Sequence, residues 1–311
     1  LNLRARPIEL FDLPTLHRYR HRAVYLDATR ALIHGNALSA AGFLAHLDLK
    51  RRIYTALTEE ENPLAGSVIQ EEGENFARLV YLAPVERITD APALEALLGT
   101  LIAKAGAWGA RQIVAEVDEE SPLFHLLRQQ GFSVYAWQRI WDLSTLHSPS
   151  HAEVQWRKIH RTETSAVRSL HHQIVPPLLQ PIDCLDDPPQ GILCQTENVE
   201  AYIQIKHGTR GAMLYPLIHP EMNHVPESLR ALPSSLHEPH AYLCVRSYQA
   251  WLEMLLEEMG AQAGPRQALL LKYLAVPLKD EVSAPSTVSV GAQPSHLSRI
   301  TELERQKRKI S

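Results

Sequence analysis

Apolar and polar positions alternate over residues 1–6, and the run stops at Pro7, which predicts a first strand. Asp12, followed by Leu13 and Pro14, marks a helix start with proline in the first turn. Residues 26–47 mix Ala, Leu and His with two glycines and read as helix plus loop without sharp ends. Residues 52–57 and 66–71 predict a hairpin around the acidic turn Glu59-Glu60-Glu61-Asn62-Pro63, and residues 75–83 predict a third strand. From Asp90 the period changes. Leu94, Leu97, Leu98, Leu101 and Ile102 recur at helical spacing, with Asp90 as the cap and Pro92 in the first turn. A short buried strand at 112–117 follows, then a helix capped by Ser121 and closed by Gly131, then a long strand at 132–143.

Residues 144–153 are polar, contain Pro149 and carry no apolar period, which places a linker at 147–153. After it the order of elements restarts. Strands are predicted at 154–160, 192–196, 201–206, 212–218, 241–246 and 267–276, and helices at 163–179, 226–232 and 251–259. The ends of the two runs match in pattern: strand 113–117, a helix, Gly131 and a strand are answered by strand 242–245, a helix, Gly260 and a strand. The expected organisation is therefore two tandem α/β lobes, at 1–146 and 154–279. Residues 280–311 shift to Ser, Pro, Thr and Val and then to a charged end, so this tail is expected to be disordered. Leu297, Ile300, Leu303 and Glu304 give it a short amphipathic face suited to a protein partner.

Composition narrows this picture. A length of 311 residues suits two domains of ordinary size, and 45% hydrophobic residues are enough to bury a core in each. A net charge of -4 gives no electrostatic reason to expect nucleic acid as the main partner. The longest apolar stretches, such as 97–110, are broken by Gly99, Lys104 and Gly106, so no membrane span is expected. The charged start reads as a strand and not as a secretory leader, and the expected location is cytoplasmic. Cys184, Cys194 and Cys244 form no C-x-x-C pair, and Cys194 and Cys244 lie in apolar runs, so they read as core residues. His17 and His21 lie four apart on a predicted helix, but Arg18, Arg20 and Arg22 beside them oppose a cation, and no metal is expected.

Two segments carry candidate chemistry. Residues 82–92 lead from the third strand into the long helix, and the helix N-terminus offers free N–H groups and a positive dipole end to an anion. The strand–helix–Gly131–strand unit completes the pattern. From Leu1 to about Leu143, and most strongly from Phe76, this resembles the GNAT (GCN5-related N-acetyltransferase) superfamily, and the restart after the linker resembles it again in weaker form. The resemblance implies an α/β (α+β) fold of two GNAT-like lobes, each a mixed, mostly antiparallel twisted sheet flanked by helices. It also implies acetyl-CoA or another acyl-CoA as donor, and a small-molecule or peptide amine as acceptor. On that resemblance the donor's pantetheine arm would pair with Leu82, Ala83 and Val85, with Arg87 and Ile88 at the diphosphate end. The amine would enter over 26–47. Glu116 or Glu71 is the candidate general base, and Tyr135 and Tyr81 are the candidate phenols.

The family pattern at the diphosphate is Arg or Gln, two residues, Gly, one residue, then Gly or Ala. Here Arg87 fits, but Asp90 and Pro92 fall where the two small residues belong. A carboxylate repels the ligand, and proline removes an amide donor. The second run, at 219–226, has no glycine and two prolines. The tyrosine that the family often keeps four residues before the last glycine is replaced by Leu127 and Leu256. Two functions therefore remain open: an acyl-CoA-dependent N-acyltransferase, and a non-catalytic GNAT-like binding or structural protein.

Overall fold

The computed structural model describes residues 3–38, 51–146, 156–195, 199–236 and 238–274. The expected linker at 147–153 and tail at 280–311 lie outside the described residues. The first run of elements is β1 (Ala5–Pro7), α1 (Leu13–Tyr19), β2 (Val24–Tyr25), α2 (Ala28–His34), β3 (Arg51–Thr58), β4 (Ala65–Glu71), β5 (Phe76–Ala83), α3 (Ala91–Ala107), β6 (Gln112–Asp118), α4 (Pro122–Gln129) and β7 (Ser133–Asp142). The second is β8 (Arg157–Lys158), α5 (Thr164–Ile174), β9 (Gly191–Gln195), β10 (Val199–His207), β11 (Ala212–Ile218), α6 (Val225–Ser235), β12 (Ala241–Arg246), α7 (Trp251–Glu258) and β13 (Gln262–Tyr273).

All thirteen strands belong to one sheet, in the order β1-β3-β4-β5-β6-β13-β7-β12-β11-β10-β9-β8, with β2 pairing with β5 off this path. The fold class is the expected one, a large mixed sheet flanked by helices. The way its halves join was not foreseen. The last strand of each run lies in the other half: β13 pairs with β6, and β7 pairs with β12. The two exchanged strands meet at the centre, where Gln267 faces Gln138 and Ala268 faces Trp137, and Gln138 Nε2 donates to Gln267 Oε1 at 2.7 Å. Each half therefore completes its core only with a strand from the other. Residues Leu1–Val276 accordingly cluster as a single compact unit.

Packing repeats on both sides of this centre. In the first half α3 and α4 cover one face of the sheet through Leu94, Leu97, Leu98, Leu101, Leu123 and Leu127, while α1 covers the other through Leu16 and Tyr19. In the second half α6 and α7 take the first role through Leu229, Leu232, Leu252 and Leu256, and α5 takes the second through Val167 and Leu170. The start of α3 is as its sequence predicts, with the Asp90 carboxylate accepting from Ala93 N–H at 3.3 Å and Pro92 in the first turn. The helix can approach β4 because Gly66 has no side chain: a Cβ there would lie 2.9 Å from Leu82 and 3.1 Å from Leu97 and Leu101.

Candidate site at two strand gaps and the cavity between them

In each half two parallel strands start together and then diverge. β5 and β6 pair only at Phe76 with Gln112, Ala77 with Ile113, and Arg78 with Val114. β11 and β12 pair only at Ala212 with Ala241, Met213 with Tyr242, and Leu214 with Leu243. Beyond these three rungs each pair leaves a gap whose edges carry unpaired backbone groups. Pro216, which has no N–H to donate, falls just past the point where β11 loses its neighbour.

The first gap is filled by the chain itself. Residues 22–28 run antiparallel to β5 along its free edge, with Val24 opposite Leu82 and Tyr25 opposite Tyr81. Leu26 bridges the two strands: its N–H donates to Val80 O at 2.9 Å, and its carbonyl accepts from Glu116 N–H at 2.8 Å. Val85 N–H closes the outer end on Arg22 O at 2.7 Å. The Leu26 side chain is fully buried in the core under α3, which contributes about 2 kcal/mol from its apolar surface alone. Among the described residues, no backbone hydrogen bond of this kind spans the second gap.

The residues expected at a donor site are placed as follows. Leu82 and Ala83 are buried, and Val24 lies opposite Leu82 on the edge at which an arm would pair. Ile88 is buried in the core beneath α3. Val85 is 45% exposed. Arg87 is held by Glu60 at 2.5 Å and by Asp90 at 2.9 Å, so both carboxylates meet the guanidinium where a diphosphate was expected. Leu127 and Leu256 are core residues.

Glu116 and Tyr135 lie away from that group and are brought together. Both border a small cavity of about 30 Å³ with Arg78, Asp183 and Arg246. It adjoins a larger cavity of about 590 Å³ on the α1 and α5 side of the sheet, which Glu116, Arg78, Asp183 and Arg246 also line. Elements of each half reach across to enclose this space. Ala28 and Ile33 of α2 pack on Ile140, Met213 and Cys244, while Ile182, in the loop after α5, packs on Phe76, Val114 and Leu271. Thr29 Oγ1 and Tyr215 OH, 2.5 Å apart, tie α2 to β11 at the edge of the second gap. That gap opens into the larger cavity through Tyr215, Pro216, Leu217, Cys244 and Arg246.

The electrostatics follow from burial. Glu116 accepts a hydrogen bond from Ala28 N–H at 2.8 Å, yet its pKa is raised, first by burial and then by the nearby Asp27. Burial, reinforced by Asp183, raises Tyr135 well above an ordinary phenol, which keeps its proton on. Burial also pushes the Cys244 thiol up to about 12, which fits a core residue and not a nucleophile. Arg246 donates to Asp183 at 2.9 Å and to Gln138, and Arg78 is clamped on Glu74 at 2.5 Å. These two arginines were not singled out in the sequence. Their signal was present: Arg78 interrupts the apolar strand Phe76–Ala83, and Arg246 ends the apolar run Ala241–Arg246. His17 and His21 both engage Arg20, His21 at 2.8 Å.

Diverging parallel strands, each followed by a helix and completed by an antiparallel strand, define the GNAT architecture, present here twice in one sheet. Comparison with solved structures agrees. The chain is similar to a GCN5-related N-acetyltransferase from Sphaerobacter thermophilus, with a TM-score of 0.51 and 12% identity over 88% of this chain and 96% of that one. It is equally similar to a tandem GNAT protein from the clavulanic acid biosynthesis pathway, solved without acetyl-CoA, with a TM-score of 0.51 and 12% identity over 87% and 98% of the two chains. No family model and no curated protein matches the sequence. The chain therefore has the tandem GNAT fold. No helix among the described residues is long and apolar enough to cross a membrane.

Proposed function

We propose that this protein transfers an acyl group from an acyl-CoA thioester to an amine, with the donor arm in the second gap and the acceptor in the adjoining cavity. One observation carries this reading: the chain fills the first gap with its own residues, while among the described residues the second stays open onto a cavity lined by the half-buried Glu116. The first gap demonstrates what such a gap holds, an extended amide chain bonded to both edges, and a pantetheine arm offers the same groups. A thioester seated beside Tyr215 and Cys244 would face the acceptor space directly.

Glu116 would take one proton from the ammonium nitrogen. That nitrogen's lone pair then forms the bond to the thioester carbon, the carbon–sulfur bond breaks, and the second nitrogen proton ends on the departing sulfur. A carboxyl with a raised pKa accepts a proton more readily than an ordinary one. Leu82, Ala83, Val85, Arg87 and Ile88 would serve a donor only if residues 22–28 withdrew.

The diphosphate end supports a second reading. Asp90 and Pro92 open α3, and α6 opens with Pro226 behind His224, which sits at a φ of 59°. A protein of this fold without a diphosphate cradle could serve as a binding partner only. Thermal unfolding in millimolar acetyl-CoA separates the two. The acyltransferase reading expects a clear rise in Tm by mass action, together with labelling of 212–218 or 241–248 by a photoreactive CoA thioester. An unchanged Tm contradicts it, as does labelling confined to 82–93.

A further inference from the structure

The larger cavity is charged, and among the described residues its charges do not balance. Six carboxylates and five Lys or Arg side chains line it. Most are matched internally: Arg30 with Asp27 at 3.6 Å and Glu71 at 3.1 Å, Arg51 with Glu71 at 4.0 Å, Arg78 with Glu74 at 2.5 Å, and Arg246 with Asp183 at 2.9 Å. Glu116 and Asp186 are the carboxylates outside these pairs, and Lys206, drawn over the Tyr215 ring at 5.8 Å, lies near enough to Asp186 to favour its charge. That leaves Glu116 as the uncompensated carboxylate. His34, His171 and His207 also border the space; burial lowers the pKa of the first two, so neither supplies a cation at neutral pH, and His207 is bonded to Glu238 at 2.8 Å.

We infer that the cavity binds a monovalent organic ammonium ion, with the positive nitrogen against the Glu116 carboxylate and the rest of the molecule towards Leu217 and Tyr248. A zwitterion would bring a carboxylate into a space whose cations are already taken, and a dication would bring one charge too many. The inference names the acceptor class for the acyltransferase reading and rests on that reading for its chemistry, though the binding itself does not require a donor. A half-buried carboxylate without a countercharge is still costly, and an ammonium partner relieves that cost. The groups facing Glu116 are Asp27 at the head of α2, Arg78 on β5, Tyr135 on β7, Tyr215 on β11, and Cys244 and Arg246 on β12. Both arginines face it while bonded to other carboxylates. Ammonium binding should therefore favour the ionised form of Glu116.

The test is calorimetry on the full chain at constant ionic strength with n-butylammonium, 1,4-diaminobutane, 4-aminobutyrate, butyrate and 1-butanol. Butylammonium is expected to bind tightest. Glu116→Gln, which keeps an acceptor for Ala28 N–H, should weaken it at least tenfold. Asp186→Asn should change butylammonium affinity less than threefold. Equal or tighter binding of 4-aminobutyrate, butyrate or the diamine overturns the inference, as does unchanged binding in Glu116→Gln. Butylammonium binding without acylation by acetyl-CoA would leave this inference standing and remove the acyltransferase reading. Acylation of 4-aminobutyrate without butylammonium binding would do the reverse.

Discussion

The two strand gaps begin alike and end differently. Each opens after three rungs of a parallel pair, each lies in a half covered by two equivalent helices, and each half is completed by the other's last strand. In the first gap Leu26 joins both edges by backbone hydrogen bonds and buries its side chain, so the edges are satisfied from within. In the second, Pro216 removes one donor, Tyr215 is fastened to Thr29, and the space continues into the cavity. The difference shows how a duplicated architecture can divide its labour. With its own gap closed by a local segment, the first half lends α2 to the wall of the cavity that adjoins the other gap.

The comparison can be broken at several points. The largest effect is expected from Asp183→Ala. It leaves the Arg246 guanidinium, whose side chain is only 11% exposed, without its carboxylate at the floor of the second gap, and should cost about 4 kcal/mol in urea unfolding. A cost below about 1 kcal/mol would mean that the pair is solvated and the gap looser than described. Leu26→Ala should cost about 3 kcal/mol by emptying the filled gap, whereas Cys244→Ala at the edge of the open gap should cost about 1 kcal/mol. Equal costs would erase the distinction between the gaps. The smallest effect concerns pH. Because Glu116 has a higher pKa folded than unfolded, the folded state holds more protons, and its contribution to stability is lost as pH rises from the unfolded value through the folded one. Glu116→Gln should flatten that fall in a pH series of unfolding midpoints. An unchanged slope would show that Glu116 is not the group responsible.

Much of this was legible in the sequence. The 3.6-residue period behind Asp90 gave α3, and the acidic turn at 59–63 with the strand-like runs around it gave the meander of β3, β4 and β5. Glu116 and Tyr135 were singled out separately, and the fold places them at one cavity. The filled gap was not legible. Residues 22–28 contribute only a two-residue strand, too short for any period to register, and their bonds run to Val80, Val85 and Glu116, which are far away in the chain. The strand exchange was hidden for a related reason: β7 and β13 each read as an ordinary closing strand, and pairing partners leave no mark on a strand's own alternation. Arg78 and Arg246 were visible as charges in apolar runs, but what they bind depends on Glu74 and Asp183, and the second of these comes from a loop with no pattern of its own.

Amide hydrogen exchange at single-residue resolution on the free protein tests the central contrast most directly. If residues 22–28 fill the first gap, the N–H groups of Leu26, Glu116 and Val85 will exchange as slowly as those in the middle of β5. Exchange at Leu26 and Glu116 on the timescale of an exposed loop would show the first gap to be open, and the division between a scaffold half and a site half would fall with it.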